Sequence, residues 1–545
     1  MAAADFLLLL RSLAAELPAT SCFSDEQAAE GLAVTDELRA CFLPRPASAS
    51  PAVSQPAEEQ VADLLQLLPP ELLSAILSRL DLRDLAHVAA TCPSLWRDAA
   101  TSPPMPRAIG PVEAELRRRA EARGLEVGSS LPEGAHSWVS YLFASDRRDT
   151  LRRQAPLAVG FAQRCRLSSF VDREGHLLTC GLDGGGAFLL GHPLGPEADP
   201  DDVREIGFPM LVPWMQGTRV VSVATGIYHC LALSTVGEVY SWGGSIFGEL
   251  GHLDRGVKEL PSRIESLSRI EHIAAGPYYT SAAIDETGNL YTWGRAFTDE
   301  DPDSVLGYEV DPETLCQLTP RRVDALSQHC VVGVALGHGF TLAVTDAGAV
   351  FSFGCGRGGQ LGHWVTPFES EVLPRRIEAL AQTRRRFVAV AAGESHALAL
   401  TEDGELYEWG RGQLVPQRIA ELVGQQVKLV YAVESSSCAV TEHGELYSWS
   451  STTDSTNHHG HGVGVPQQRP KRVEGLGEVT VAAVAMCSTH TLVASEDGVV
   501  WGFGMRCALG LDDNFPMLPY AKAEHPTRIP ALRVRALKSP PVVRL

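Results

Sequence analysis

Residues 391–410 read AAGESHALALTEDGELYEWG, and the second half of that phrase is written again and again along the chain. The pattern Gly-x-[Leu/Val]-x-x-aromatic-Gly recurs as GEVYSWG from Gly237, GNLYTWG from Gly288, GAVFSFG from Gly348, GELYSWS from Gly444 and GVVWGFG from Gly498. With GELYEWG from Gly404 and a weaker GHLLTCG from Gly175 there are seven copies, 40 to 62 residues apart. Such spacing is close to the period of propeller blades and longer than that of ankyrin or leucine-rich repeats.

The first half of the phrase recurs too, as VVSVATGIYHCLALSTVG, IEHIAAGPYYTSAAIDETG, VVGVALGHGFTLAVTDAG and VAAVAMCSTHTLVASEDG. Each reads as two short strands rich in Val, Ala and Leu, followed by a Gly-bearing turn into an aromatic strand. A third mark, Pro-x-Arg-[Ile/Val], follows every aromatic strand: at Pro261, Pro320, Pro374, Pro416, Pro470 and Pro526, with a degenerate PWMQ at Pro213. One unit is therefore a small antiparallel sheet, with small residues where sheets converge and an aromatic wedge where they splay. Nothing repeat-like follows Pro526. The stretch from Pro526 to about Leu537 is expected to return to the blade around Gly175 and close a ring, because closure removes exposed sheet edges.

At 545 residues, 45% hydrophobic and 21% charged, the chain has ample core material and no signature of disorder. Its net charge of −20 opposes nonspecific attraction to phosphate backbones, so no nucleic-acid partner is expected. The twelve cysteines lie singly, without C-x-x-C, as in proteins kept reduced in the cytoplasm or nucleus. The opening MAAADFLLLLRSLAAELP carries Asp5 before its leucines and reads as an amphipathic helix, not a signal peptide. No apolar run reaches the roughly 18 residues of a membrane helix, so no membrane partner is expected.

The phrase at 391–410, together with GELGH after Trp242 and GQLGH after Phe353, resembles the regulator of chromosome condensation repeat. The resemblance implies a mainly β fold, a seven-bladed β-propeller over 157–545. Two blades depart from the family pattern. The one at Gly404 lacks the long loop after its aromatic strand, and the one at Gly444 has Ser450 in place of Gly.

The first third is different material. Residues 1–43 read as an N-terminal helical segment and the Pro/Ser/Ala-rich 44–60 as a flexible linker. Over 61–105, a helix begins at Pro69 or Pro70, with Leu72, Leu73, Ile76, Leu77 and Leu80 at three- and four-residue spacings. Asp81 caps a second helix, and Pro93 starts a third that carries Trp96. About forty residues bury such helices poorly alone, so one face is expected to meet another surface. The run LPPELLSAILSRLDLRDLAHVAATCPSLW strongly resembles the F-box, with Leu68, Pro69, Glu71, Leu80, Asp81, Asp84, Leu85, Cys92 and Trp96 at matching positions. That resemblance implies a small all-α domain docking on the S-phase-kinase-associated adaptor and cullin of a ubiquitin ligase. Its expected adaptor contacts are Leu68, Pro69, Glu71, Leu72, Ile76, Leu77, Leu80 and Trp96. Residues 106–156 read as a helical connector.

Catalytic chemistry finds little support. GCGRGG at Gly354 satisfies G-x-G-x-x-G but runs into QLGH and not into the helix of a dinucleotide fold. His458, His459 and His461 in NHHGHG read as a solvated loop; no metal, cofactor or catalytic set is expected. His229, His396 and His490 recur eight residues before the turn glycine, which reads as structural hydrogen bonding around the ring. The expected role is a non-catalytic receptor subunit whose propeller binds a protein substrate. The alternative is exchange on, or regulation of, a small GTPase. A light sensor would need Gly-Trp-Arg-His-Thr motifs, and none occurs.

Overall fold

The computed structural model describes residues 157–533, apart from 163–164, 184–187, 193–203, 216, 278, 297–304, 311–312, 365–368, 452–457, 463–466, 506–508 and 510–521, together with Arg118, which is helical and exposed. The expected N-terminal helix, linker, F-box helices and connector otherwise lie outside the described residues. So do Leu68, Pro69, Glu71, Leu72, Ile76, Leu77, Leu80 and Trp96.

Seven four-stranded antiparallel sheets follow one another along the chain, each in simple sequence order. They span 157–211, 220–263, 270–322, 331–376, 387–418, 427–472 and 481–533 and are numbered here as blades 1 to 7. First strands touch their neighbours all the way round, and the first strand of blade 7 meets that of blade 1. The seven-bladed propeller expected from the repeats is therefore the architecture.

Blade 2 shows how the sequence builds each unit. Its strands are Val220–Thr225, His229–Ser234, Val239–Gly243 and Lys258–Arg263. The second strand is buried at every position, because sheet neighbours flank it and other blades cover both its faces. The third strand is the repeated aromatic phrase. Trp242, Trp293, Trp409 and Trp449 occupy one position of it in blades 2, 3, 5 and 6 and are fully buried, as are Phe353 and Phe503 at the same place in blades 4 and 7. The fourth strand is an outer edge, and it carries the Pro-x-Arg mark.

The turn glycine is fixed by two demands. Gly404 has φ +78°, and a Cβ there would stand 2.7 Å from Cα of Gln426, which leads into blade 6. Its carbonyl accepts the Val427 N–H at 3.0 Å, a backbone bond between blades. The same bond joins Val220 to Gly175, Ile270 to Gly237, Val331 to Gly288, Phe387 to Gly348 and Val481 to Gly444. The recurring glycine is thus where blades 1 to 6 each touch the next.

Two expectations are corrected. The last strand, Lys522–Arg533, pairs with Val499–Met505 of blade 7 and not with blade 1. Blade 1 already owns four strands, because Leu157–Ala162 pairs with Cys165–Val171 ahead of the first recognisable repeat phrase. The ring is closed by side chains: Leu157, Phe170 and Cys180 of blade 1 share a core with Ala483, Leu492, Val500 and Ile529 of blade 7. The second correction concerns PWMQ. Leu211 pairs with Leu178 as Arg263 pairs with Tyr240, and the Val212 N–H bonds the Leu177 carbonyl as that of Ile264 bonds Val239. The blade 1 counterpart of Pro-Ser-Arg-Ile is therefore Pro209 to Val212, and Pro213–Met215 forms a 3-10 turn after it.

Candidate functional site: the loop-bearing end of the propeller

Turns from first to second strand and loops from third to fourth strand emerge at the same end of an antiparallel four-stranded blade. At this end the recurring histidines tie blades together. His229 Nε2 lies 2.9 Å from Ser281 Oγ, His396 Nε2 2.7 Å from Ser437 Oγ and His490 Nε2 3.0 Å from Ser168 Oγ. These pairs join blades 2 to 3, 5 to 6 and 7 to 1, so the third bridges the seam where chain continuity is lacking. The structural role expected for the three histidines is what the geometry shows. Burial lowers their pKa, to about 4 for His229 and about 3 for His396 and His490, so each is neutral at ordinary pH. At His396 the Arg411 guanidinium donates to Nδ1 at 2.9 Å. Nε2 then carries the proton and donates to Ser437.

The long loops follow one plan. In blade 2 the Ser241 hydroxyl donates to the Leu250 carbonyl at 2.8 Å and meets His252 Nε2 at 2.8 Å. Thr179 and Ser352 do the same with Leu190 and His192, and with Leu361 and His363. One residue earlier, the loop carbonyl accepts the indole N–H of the next blade: Trp242 to Leu189, Trp293 to Glu249 and Trp409 to Gln360, at 2.8 to 2.9 Å. A hydroxyl beside the indole adds a second donor in blade 3, where Ser281 Oγ reaches the Glu249 carbonyl at 2.8 Å.

This plan corrects the reading of NHHGHG as a solvated loop. Ser448 donates to the His459 carbonyl at 2.7 Å and meets His461 Nε2 at 2.9 Å, so His458 to His461 replace Glu-Leu-Gly-His. His458 and His459 are buried, with ring centroids 3.9 Å apart, and both Nε2 atoms lie within 3.0 Å of Ser436 Oγ. Ser436 stands at the strand position that His229 and His396 occupy in their blades. The imidazole missing from that strand is supplied by the loop. Sequence reading missed this because the signal, Ser or Thr at the centre of the aromatic strand, looks like ordinary strand composition.

Blade 5 lacks the long loop, and Arg411 fills the gap. Its guanidinium contacts His396, the Ser435 carbonyl of blade 6 and Glu408. Trp449 finds no loop carbonyl and points its N–H at Glu408 Oε1, 3.5 Å away.

Two surfaces depart from the polar norm. Between blades 2 and 3, Tyr228 and Tyr279 stack at 5.2 Å, Phe247 packs on Tyr279 at 5.0 Å, and the Arg295 guanidinium lies 4.8 Å above the Phe247 ring. Glu249 anchors this loop by accepting the Ile246 and Phe247 N–H groups, and burial raises its pKa to about 7. On the outer edge of blade 1, Phe208, Leu211 and Trp214 are 50%, 43% and 65% exposed. The matching arginines of blades 2, 5 and 6 instead pair with the acid after the turn glycine: Arg263 with Glu238, Arg418 with Glu405 and Arg472 with Glu445, at 3.0 to 3.2 Å.

Among the described residues one group brings three metal-capable atoms within 4.8 Å: Asp172, Glu174 and His176. Asp172 there closes a turn by accepting the Glu174 and His176 N–H groups. Asp285 closes the corresponding turn of blade 3 in the same way. That hydrogen bonding accounts for the cluster.

The family described as RCC1-like domain matches residues 176–539, and the family described as F-box-like matches 65–105. The human E3 ubiquitin-protein ligase HERC2 is 35% identical over 340 residues, 61% of this chain and 6% of that protein. The bovine secretion-regulating guanine nucleotide exchange factor is 30% identical over 253 residues, 45% of this chain and 51% of that protein. The chain therefore spans well under two thirds of either relative. Yeast RCC1 (Prp20), solved bound to Kap60, superposes with a TM-score of 0.54 at 22% identity, covering 74% of this chain and 89% of that one. Among the described residues no helix is long and apolar enough to cross a membrane.

Proposed function

This chain belongs to the RCC1-like domain family, and we propose that it is the substrate-recognition subunit of an F-box type cullin-RING ubiquitin ligase. The observation that carries the reading is the union, in one chain, of an F-box-like segment at 65–105 with a propeller of seven blades. The F-box, placed over 61–105, docks on the S-phase-kinase-associated adaptor through Leu68, Pro69, Glu71, Leu72, Ile76, Leu77, Leu80 and Trp96. The propeller recruits the target protein in the cytoplasm or nucleus, and the connector at 106–156 sets the distance over which ubiquitin must travel. The chain performs no bond chemistry itself; its contribution is to raise the local concentration of acceptor amines near a ubiquitin thioester.

The test is capture of purified adaptor and cullin by the full chain, wild type against Leu68→Asp/Ile76→Asp. Wild type captures both and the double variant captures neither, while the two chains melt alike, since the altered residues lie outside the propeller. Failure of wild type to capture the adaptor, or equal capture by the variant, overturns the reading. A second reading, exchange on a small GTPase, is favoured by the similarity to the secretion-regulating exchange factor. Nucleotide release from a panel of loaded GTPases, accelerated by catalytic amounts of the chain, is its signature.

A further inference from the structure

Two leucines of blades 2 and 3 hold a backbone conformation that costs a side chain and that packing does not reward. Leu253 has φ +63° and Leu315 φ +58°, in the left-handed region where a Cβ is crowded. Phe188 also has positive φ but gives its ring to the core, whereas Leu253 is 77% and Leu315 49% exposed. In blade 6 the residue after the loop histidine is Gly462, with φ +100°, so glycine serves at the place that Leu253 takes in blade 2. Strain of this kind, kept under an exposed side chain, collects at binding surfaces.

The blade 2 loop brings more apolar surface to the same place and holds it there. Ile246 and Val257 are exposed, and Phe247 packs on Tyr279. The Glu249 carboxylate fixes the Ile246 and Phe247 N–H groups, and the Ser245 hydroxyl reaches the Asp254 carbonyl at 3.4 Å. Arg255 Nη2 donates to the Thr314 carbonyl at 3.2 Å, which ties the stretch after Leu253 to the stretch before Leu315. Below them the loop lies on the outer strand of blade 3, where a Cβ at Gly248 would stand 2.6 Å from Leu318 Cδ2. A surface fixed in advance by such bonds loses little freedom when a partner docks.

Deepening the proposed function, on which it rests, we infer that this face between blades 2 and 3 is where the target protein docks, through a segment that carries an apolar side chain next to carboxylates. The apolar side chain packs on Ile246, Leu253 and Leu315. Charge selects its neighbours. Arg255 is exposed between Leu253 and Val257, and among the described residues its Nε and Nη1 bind nothing, which leaves donors for a carboxylate. Lys258 is already held by Asp254 at 3.2 Å. A second copy of the chain, docked symmetrically on this face, would set Arg255 against its own counterpart.

The test selects short random displayed peptides on the full wild-type chain, then measures each enriched peptide by fluorescence polarisation against wild type, Leu253→Gly, Leu315→Gly and Arg255→Glu. Binders carry Leu, Ile, Phe or Met beside Asp or Glu, and each variant weakens them by about tenfold. The two glycine variants lose binding while melting no lower than wild type, because the strain is relieved; leucines that served only structure would show the reverse. A selection without binders, binders that lack an acid, or binders that hold all four chains alike overturn the inference. So does self-association of wild type, seen by sedimentation, that Leu253→Gly abolishes. Adaptor capture is measured in parallel: capture without these dependences leaves the receptor reading standing and this inference overturned, whereas lost capture with peptide binding intact overturns the receptor reading alone.

Discussion

Replacing Trp409 by Phe is predicted to cost more stability than replacing Trp293 by Phe, though both indoles are fully buried at the same blade position. Each change removes the same ring, so the lost transfer and packing energy is closely matched. The carbonyl left behind is not. Glu249 O accepts both the Trp293 indole at 2.9 Å and Ser281 Oγ at 2.8 Å, and keeps the second donor. Gln360 O accepts the Trp409 indole at 2.8 Å, and the residue paired across from Trp409 is Ala397, where blade 3 has Ser281. A buried carbonyl stripped of its donor costs about 1–3 kcal/mol. With unfolding entropy near 2.1 cal/mol/K per residue, that excess lowers Tm by about 1–4 °C beyond the Trp293→Phe value. Ala397→Ser places a hydroxyl where Ser281 has one, so the pair Trp409→Phe/Ala397→Ser regains about 1 kcal/mol while Ala397→Ser alone is close to neutral. Urea denaturation of the four variants and wild type reads these differences directly. Equal losses at the two tryptophans, or no recovery in the double variant, refute the account of the loop carbonyls as interblade acceptors.

Stability of the propeller is predicted to fall as pH drops below about 6.5. Burial depresses the folded pKa of His229 to about 4 and of His396 and His490 to about 3, so the unfolded chain binds these protons first. Each histidine then removes up to about 1.4 kcal/mol per pH unit until its folded pKa is reached, visible as a falling urea midpoint between pH 7 and 4.5. His490→Gln flattens that slope, and a slope unchanged by it counts against the assignment. Gly404→Ala is predicted to be far worse than Gly424→Ala. Both glycines have φ near +80°, which costs an L-residue about 1–2 kcal/mol, but only at Gly404 would the new methyl lie 2.7 Å from the backbone that leads into blade 6. Equal Tm losses for the two variants would show that conformation alone, and not interblade contact, fixes the repeated glycine.

The blade count was legible because the aromatic wedge and the turn glycine answer to geometry that every blade shares. The error about closure came from the same source. Leu157–Ala162 lacks the turn glycine and the aromatic that mark other units, because a first strand has no such duty, so blade 1 looked one strand short. The orphan at Pro526 then seemed to be the missing piece. Pro209 to Val212 escaped notice because its edge has Leu211 in place of the usual arginine, and the residue after the turn glycine is His176 and not an acid, so neither member of the usual ion pair marks the blade. The histidines at 458 and 459 misled through local composition: three imidazoles in a polar loop look solvated until the strand that they face proves to have Ser436 where a ring belongs.

Six of the seven blade interfaces are held partly by the chain itself, which passes from one fourth strand directly into the next first strand. The seventh has only noncovalent closure, built from the same kinds of contact that other interfaces carry in addition to the chain. His490 spans to Ser168, the Arg173 guanidinium reaches the Asp497 carbonyl, and a shared apolar core joins Leu157 and Phe170 to the blade 7 side. Opening of a ring without strand exchange should begin at this seam, where no covalent link limits separation. Hydrogen exchange resolves the point: amides of Leu157–Ala162 and of Val481–Met486 should exchange faster than those of Phe387–Ala392, which occupies the same inner position in blade 5 with chain continuity on both sides. Uniform protection of all seven inner strands would mean that side-chain closure holds this interface as firmly as the polypeptide holds the rest.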